Sequence, residues 1–143
     1  MKTPLKNLLE TGRLEEHKTS KEEIANLFRI IERDIADASI EELSPDRRFA
    51  TAYNAVLQTA TAILHHKGYR ATGIGHHSTT ITALKEILGK EHHKLIDYFN
   101  YCRAKRNITD YDYAGGISNT EADELLEEAK KFSKLAKEHI KTH

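Results

Sequence analysis

The chain has 143 residues, of which 38% are hydrophobic, a size typical of one domain with a modest core. Lys and Arg balance Asp and Glu at 22 each, so no net charge draws the whole molecule to nucleic acid or to an anionic membrane. One cysteine excludes an intrachain disulfide. The chain has no apolar run of membrane-spanning length and no signal-peptide core, so we expect a cytoplasmic protein that does not insert into membranes.

Ala, Leu, Ile, Glu and Lys dominate the composition and β-branched alternation is sparse, which predicts an all-α protein. The first predicted helix is the short amphipathic segment PLKNLLETGRL, which Gly12 ends, inside an N-terminal extension over 1–19. Ser20 and Glu23 have the spacing of a capping box and predict a helix over 21–38.

The longest predicted helix begins at the N-cap Ser44, with Pro45 at its first position, and ends at Gly68. Its apolar positions recur at helical spacing and predict a buried stripe. That stripe consists of Phe49, Ala52, Tyr53, Val56, Leu57, Ala60, Ile63 and Leu64.

The segment YRATGIGHH predicts an irregular loop, after which Ser78 or Thr79 would cap a short helix that Gly89 closes. A further helix is predicted from near Lys90 to the pair Gly115-Gly116. The last helix starts at Ser118, with Glu121 completing a second capping box. Four substantial helices with short connections favour an antiparallel bundle, plus short helices, in one domain over 1–143.

The fifth predicted helix carries a stripe that turns from apolar to polar. Arg103, Arg106, Asn107 and Asp110 follow the i, i+3, i+4, i+7 rule and share one helix face. Because burying these groups unpaired costs several kcal/mol, they either satisfy one another or border a cleft. Two interpretations stay open: a network such as Arg106 with Asp110 in a bundle or dimer seam, and an anion site that binds phosphate through arginine.

Nine histidines raise the question of a metal site. Three adjacent pairs occur, and neighbours on a helix point about 100° apart, so a helical pair does not face one ion. His139 and His143 have i, i+4 spacing at the terminus without a third ligand nearby in sequence. Cys102 lies on the apolar stripe and fits a buried structural thiol. We therefore assign no metal site and no cofactor from the sequence.

The segment AYNAVLQTATAILHHKGYRATGIGHHSTTITAL resembles the second core helix, the loop and the following short helix of the HEPN superfamily of small α-helical bundles. RNITDYDY occupies the place of the family's signature motif: an arginine, a polar residue that is often asparagine, and a histidine four to six positions after the arginine. With its ATAYNA and KRN…DYD patterns, the full length is closer still to a stand-alone bacterial HEPN-like group.

In active HEPN ribonucleases, two subunits form a cleft in which RNA is cleaved without a metal; the arginine holds the phosphate and the histidine assists attack by the 2′-hydroxyl. The resemblance implies that Arg106 is the motif arginine and Asn107 the polar residue, while Tyr111 stands where the histidine belongs. Tyr113 matches a tyrosine that a partner nucleotidyltransferase adenylylates in the toxin subfamily.

Tyr111 weakens the ribonuclease mechanism, because a phenol with a pKa near 10 is ionised to only about one part in a thousand at pH 7. His76 or His77, in the loop before the predicted short helix, are the nearest replacements. No sequence spacing places either of them beside Arg106.

We therefore expect a HEPN-like homodimer that binds RNA or a nucleotide phosphate, with a metal-independent, toxin-type endoribonuclease as its enzymatic form. The expected partners are RNA and a nucleotidyltransferase-type antitoxin, as in toxin–antitoxin pairs. The alternative is a non-catalytic HEPN scaffold that acts as a dimerisation or docking module. The candidate catalytic residues are Arg106, Asn107 and Tyr111, and the candidate substrate-binding residues are Arg103, Asp110 and Tyr113.

Overall fold

The computed structural model describes residues 4–107 and 116–143 in full and residues 108–111 by their backbone alone. The predicted all-α class is confirmed, since helices dominate and the sheet is small. The elements in chain order are α1 (Pro4–Glu10), β1 (Leu14–Glu16), α2 (Lys21–Ala38), α3 (Pro45–Lys67), β2 (Tyr69–Ala71), α4 (His76–Leu88), a 3₁₀ turn (Lys90–His92), α5 (His93–Tyr111) and α6 (Asn119–Thr142).

The central helix is α3, because α2 and α6 pack along it most extensively and α4 and α5 also contact it. Every residue of its predicted apolar stripe is buried. Phe99 of α5 and Phe132 of α6 complete the core, with ring centroids 4.8 Å apart. Full burial of a side chain of this kind contributes roughly 1.5–3 kcal/mol, so this core supplies most of the stability of the bundle.

The predicted helix ends of α3 are confirmed. Ser44 accepts a hydrogen bond from the Arg47 N–H at 3.3 Å, and Gly68 ends the helix at φ +105°, a left-handed conformation that favours glycine. At α6, the capping box of Ser118 and Glu121 forms in both directions. These local signals set the ends of the two helices that carry most of the core.

The capping box predicted for α2 forms only in part. Ser20 accepts the Glu23 N–H at 3.0 Å, as predicted. The Glu23 carboxylate instead bonds His17, Thr19 and His65 through its Oε1 atom. The side chain of Glu23 therefore belongs to a tertiary contact rather than to the helix end.

Two expectations about the segment between α3 and α4 are wrong. Residues 69–71 are not irregular but form β2, which pairs antiparallel with β1 in the register Leu14 to Ala71. The start of α4 is His76 rather than Ser78 or Thr79, because Gly75 at φ +77° takes the N-cap position. A three-residue strand whose partner lies more than fifty residues away leaves no periodic signal in the sequence.

The N-terminal extension packs on the bundle. Leu5 and Leu14 are buried in a cluster with Leu64 of α3 and Ala83 of α4. The Leu5 N–H also donates to the Glu86 carboxylate at 2.7 Å. Among the described helices, none combines the length and the apolar character that a membrane span requires.

Candidate functional site

The polar end of α5 carries the predicted arginines. Arg103 and Arg106 are half-buried, and Asn107, one position further along the helix, is exposed. The Arg103 Nε atom donates to the Asn100 side-chain oxygen at 2.9 Å, which fixes the direction of the guanidinium group. The helical spacing thus places both guanidinium groups on one side of α5, as predicted.

Tyr53 of α3 forms an apolar platform beneath this end of α5. Its ring centroid lies 5.5 Å from the guanidinium carbon of Arg106, within the range of a cation–π contact. Tyr53 is 1% exposed, and its hydroxyl has no hydrogen-bond partner among the described residues. Burial raises the pKa of Tyr53 to about 12, against the opposing effect of the positive charges of Arg103 and Arg106. Tyr53 therefore stays neutral and orients Arg106 without pairing its charge.

His77, in the first turn of α4, joins the same cluster. Burial lowers the pKa of this imidazole, and the positive charges of His76, Arg106 and Arg103 lower it further. Its environment accordingly favours the neutral ring, which is able to accept a proton. We call the group of Tyr53, His77, Arg103 and Arg106 the arginine–histidine cluster; its members belong to α3, α4 and α5, which pack against one another.

The start of α4 adds a second feature that suits an anion. The N-cap residue is Gly75, which has no side chain to bond the first N–H groups of the helix. Such N–H groups, together with the partial positive charge of a helix N-terminus, form a common phosphate-binding arrangement. His77 lies in this first turn, and the charges of Arg103 and Arg106 on α5 act on its ring.

Two lysines near the arginines are paired with carboxylates of neighbouring helices. Lys105 forms an ion pair with Glu121 of α6, and Lys85 pairs with Asp97 at 2.5 Å between Nζ and Oδ1. Lys105 thus attaches α5 to α6. A phosphate site at this end of α5 would depend on the two arginines rather than on a broad positive patch.

Three of the predicted site residues are not described by their side chains. Asp110 and Tyr111 belong to the part of α5 that is described by backbone alone, and Tyr113 lies outside the described residues. The pairing of Arg106 with Asp110 and the role of Tyr111 therefore stay predictions. The sequence named His77 as a possible replacement for the motif histidine but gave no reason to place it near Arg106. In the structure α4 packs on α5, and the charge of Arg106 acts on the His77 ring.

A second cluster lies at the C-terminal end of α3 and joins three segments of the chain. The Glu23 Oε1 atom lies 2.7 Å from His17 Nε2 and 2.9 Å from His65 Nδ1, and it accepts the Thr19 hydroxyl at 2.7 Å. The two imidazole rings lie 4.2 Å apart between centroids. Hydrogen bonds from Thr19 and His17 lower the pKa of Glu23 to about 2, so its carboxylate is ionised at neutral pH.

The fold brings these residues together through the short sheet. The pairing of β1 with β2 continues past the sheet as a hydrogen bond from the His17 N–H to the Gly68 carbonyl at 2.8 Å. His65 lies three residues before Gly68, in the last turn of α3, and Glu23 lies in the first turn of α2. Sequence reasoning missed this cluster because it compared histidines that are neighbours in the chain.

The fold is that of a small α-helical domain, and Arg103 and Arg106, with Asn107 beside them, lie at the polar end of α5. The family model described as SAV_6107-like HEPN matches residues 39–137, about two thirds of the chain, and the chain therefore belongs to this HEPN family. Comparisons with curated proteins and with solved structures found no match. The matched range includes His65 and the whole arginine–histidine cluster, whereas His17 and Glu23 precede it.

Proposed function

We propose that the arginine–histidine cluster binds a phosphate of RNA or of a nucleotide. The observation that supports this proposal is that α4 packs on α5 and that the positive charges of Arg103 and Arg106 lower the pKa of His77. Guanidinium groups bind phosphate oxygens through two parallel hydrogen bonds, and the first turn of α4 offers N–H groups to the same anion. Asn107, exposed beside Arg106, would donate its amide to a further phosphate or sugar oxygen.

The same cluster supports a metal-independent ribonuclease step in which His77 takes the place of the missing motif histidine. The neutral His77 ring would accept the proton of a 2′-hydroxyl while the 2′-oxygen bonds to phosphorus. The bond from phosphorus to the 5′-oxygen breaks, that oxygen takes a proton from water, and a 2′,3′-cyclic phosphate remains. Arg103 and Arg106 would stabilise the additional negative charge on the phosphate oxygens in the transition state.

A homodimer belongs to this proposal, because active HEPN ribonucleases form their cleft from two subunits. The side chain of Ile74 is fully exposed two residues before α4, and Tyr101 is 56% exposed on α5. Ile74 comes three residues before His77 in the chain, so a second copy that covered Ile74 would lie close to the arginine–histidine cluster. A nucleotidyltransferase-type antitoxin would act on Tyr113, the residue that matches the modified tyrosine of the toxin subfamily.

The test is incubation of the purified protein with a mixed pool of structured RNA, with chelator present and no added metal. We expect cleavage that leaves 2′,3′-cyclic phosphate ends and that disappears in Arg106→Gln and His77→Gln. The matched control is Arg29→Gln, which removes an exposed arginine of α2 and should cleave as the wild type does. Circular dichroism of each variant separates loss of activity from loss of fold.

A non-catalytic docking module is the second candidate, and the exposed Ile74 is the observation that favours it. In that case no RNA is cleaved at any pH, and Ile74→Ser disrupts the dimer or the partner complex without changing the helical content. If the wild type cleaves RNA and His77→Gln does not, while the dimer stays intact, the protein is not solely a docking module.

A further inference from the structure

We propose that His17, Glu23 and His65 form a binding site for a divalent transition-metal ion, most suitably Zn²⁺. One ligand atom from each residue lies within 4.8 Å of the other two. Two imidazole nitrogens and one carboxylate oxygen are a donor set that favours Zn²⁺ over Mg²⁺ and Ca²⁺, which prefer oxygen ligands.

The distances show how much the site must adjust to hold the ion. Ligand atoms at about 2.0–2.1 Å from a tetrahedral Zn²⁺ lie roughly 3.3–3.4 Å from one another. The measured separations of 2.7 Å and 2.9 Å between Glu23 Oε1 and the two histidine nitrogens are therefore about half an ångström shorter. We expect rotation of the side chains to open this space, because each of the three groups is partly exposed.

The hydrogen-bond pattern identifies which nitrogens would bind the ion. An ionised carboxylate only accepts, so His17 Nε2 and His65 Nδ1 both donate to Glu23. On metal binding, each proton moves to the other ring nitrogen or leaves, and the lone pair of the same nitrogen turns to the ion. The Thr19 hydroxyl already bonds Glu23 Oε1 at 2.7 Å and would orient the carboxylate from outside the ligand set.

The site is open to solvent on the side of His17. A surface groove of about 540 Å³ runs past His17 and is lined by Lys67, Gly68 and Tyr69. Three protein ligands with one accessible position are the arrangement of an open zinc site, in which water or a ligand takes the fourth position. The ion would also fasten the segment before α2, which carries His17, and the first turn of α2, which carries Glu23, to the end of α3, which carries His65. His17 and Glu23 precede the range that the family model matches, whereas His65 lies inside it.

The test is calorimetric titration of the full chain with ZnCl₂ in a non-coordinating buffer, after chelator treatment and removal of the chelator. We expect one equivalent to bind, with affinity reduced by about 100-fold or more in His17→Gln and His65→Gln. Glu23→Gln keeps an oxygen that accepts hydrogen bonds but loses the negative charge, and it should also weaken binding. His92→Gln and His139→Gln are the matched controls and should bind as the wild type does.

Two further readouts make the outcome decisive. Titration with Co²⁺ should give visible absorption bands that are lost in His17→Gln, and Zn²⁺ should raise the Tm of the wild type and not of the His65→Gln variant. Folded His17→Gln protein that binds Zn²⁺ as the wild type does would overturn the site, and so would wild-type protein that binds no equivalent. Loss of binding only in His139→Gln would assign the ion to the C-terminal pair, whose rings are stacked 4.2 Å apart.

Discussion

Arg48 offers the sharpest test of how polar contacts hold this bundle together, because the adjacent Arg47 serves as a matched control. The Arg48 side chain is 7% exposed and joins three helices. Its Nε atom donates to the Ala38 carbonyl at the end of α2 at 2.9 Å, and its Nη2 atom pairs with Asp123 of α6 at 2.6 Å. Arg47 is exposed on the same turn of α3.

The two contacts of Arg48 differ in their expected energies. Replacing Arg48 with Met retains the apolar stem but leaves the Ala38 carbonyl without this donor, at a cost of about 1–3 kcal/mol. Asp123 is 63% exposed, so solvent screening limits the ion pair to about 1 kcal/mol or less. We therefore expect Arg48→Met to lower the free energy of unfolding by about 2–3 kcal/mol, which corresponds to a Tm lower by roughly 5–10 °C.

The measurement is urea unfolding followed by circular dichroism, with thermal melts as a second probe. Arg47→Met should change the unfolding free energy by no more than about 0.5 kcal/mol. Asp123→Asn should cost less than about 1 kcal/mol, since it removes only the screened contact. Equal losses for Arg48→Met and Arg47→Met, or a full loss from Asp123→Asn alone, would refute this reasoning.

Three further predictions concern local chemistry. Arg106→Gln should raise the pKa of His77, because it removes a neighbouring positive charge. NMR titration of the His77 imidazole should detect this shift. An unchanged pKa would mean that the two groups are too far apart to interact. Ser118→Ala should cost about 1 kcal/mol in urea unfolding, because the Glu121 N–H loses its cap, and no loss would mean that water replaces it. Cys102, which is 1% exposed and whose pKa burial raises to about 12, should resist iodoacetamide until urea unfolds the chain; rapid native labelling would contradict its burial.

The helix ends of this fold could be predicted because their signals are local. Ser44 with Pro45 and Gly68 set the ends of α3 through contacts within a few residues, and these contacts form as expected. The start of α4 was missed because Ser78 is a good N-cap residue, whereas Gly75 reaches the required left-handed conformation without a capping side chain.

The candidate sites could be predicted only where one helix supplies them. The spacing of Arg103 and Arg106 on α5 identifies one face from sequence alone. The approach of His77 depends on how α4 packs on α5, and the contact of His17 with His65 depends on a sheet of three-residue strands. Neither long-range contact has a periodic pattern, so single-sequence reasoning has no means to find it.

The central claim is that Arg103, Arg106 and His77 bind a phosphate, and a titration of labelled single-stranded RNA by fluorescence anisotropy at several salt concentrations tests it most directly. We expect Arg106→Gln to weaken binding and to reduce the slope of log affinity against log salt by about 0.7, as the loss of one phosphate contact should. Arg29→Gln should match the wild type in both affinity and slope. If Arg106→Gln instead binds RNA with the affinity and the salt dependence of Arg29→Gln, the cluster does not hold a phosphate and the account is wrong.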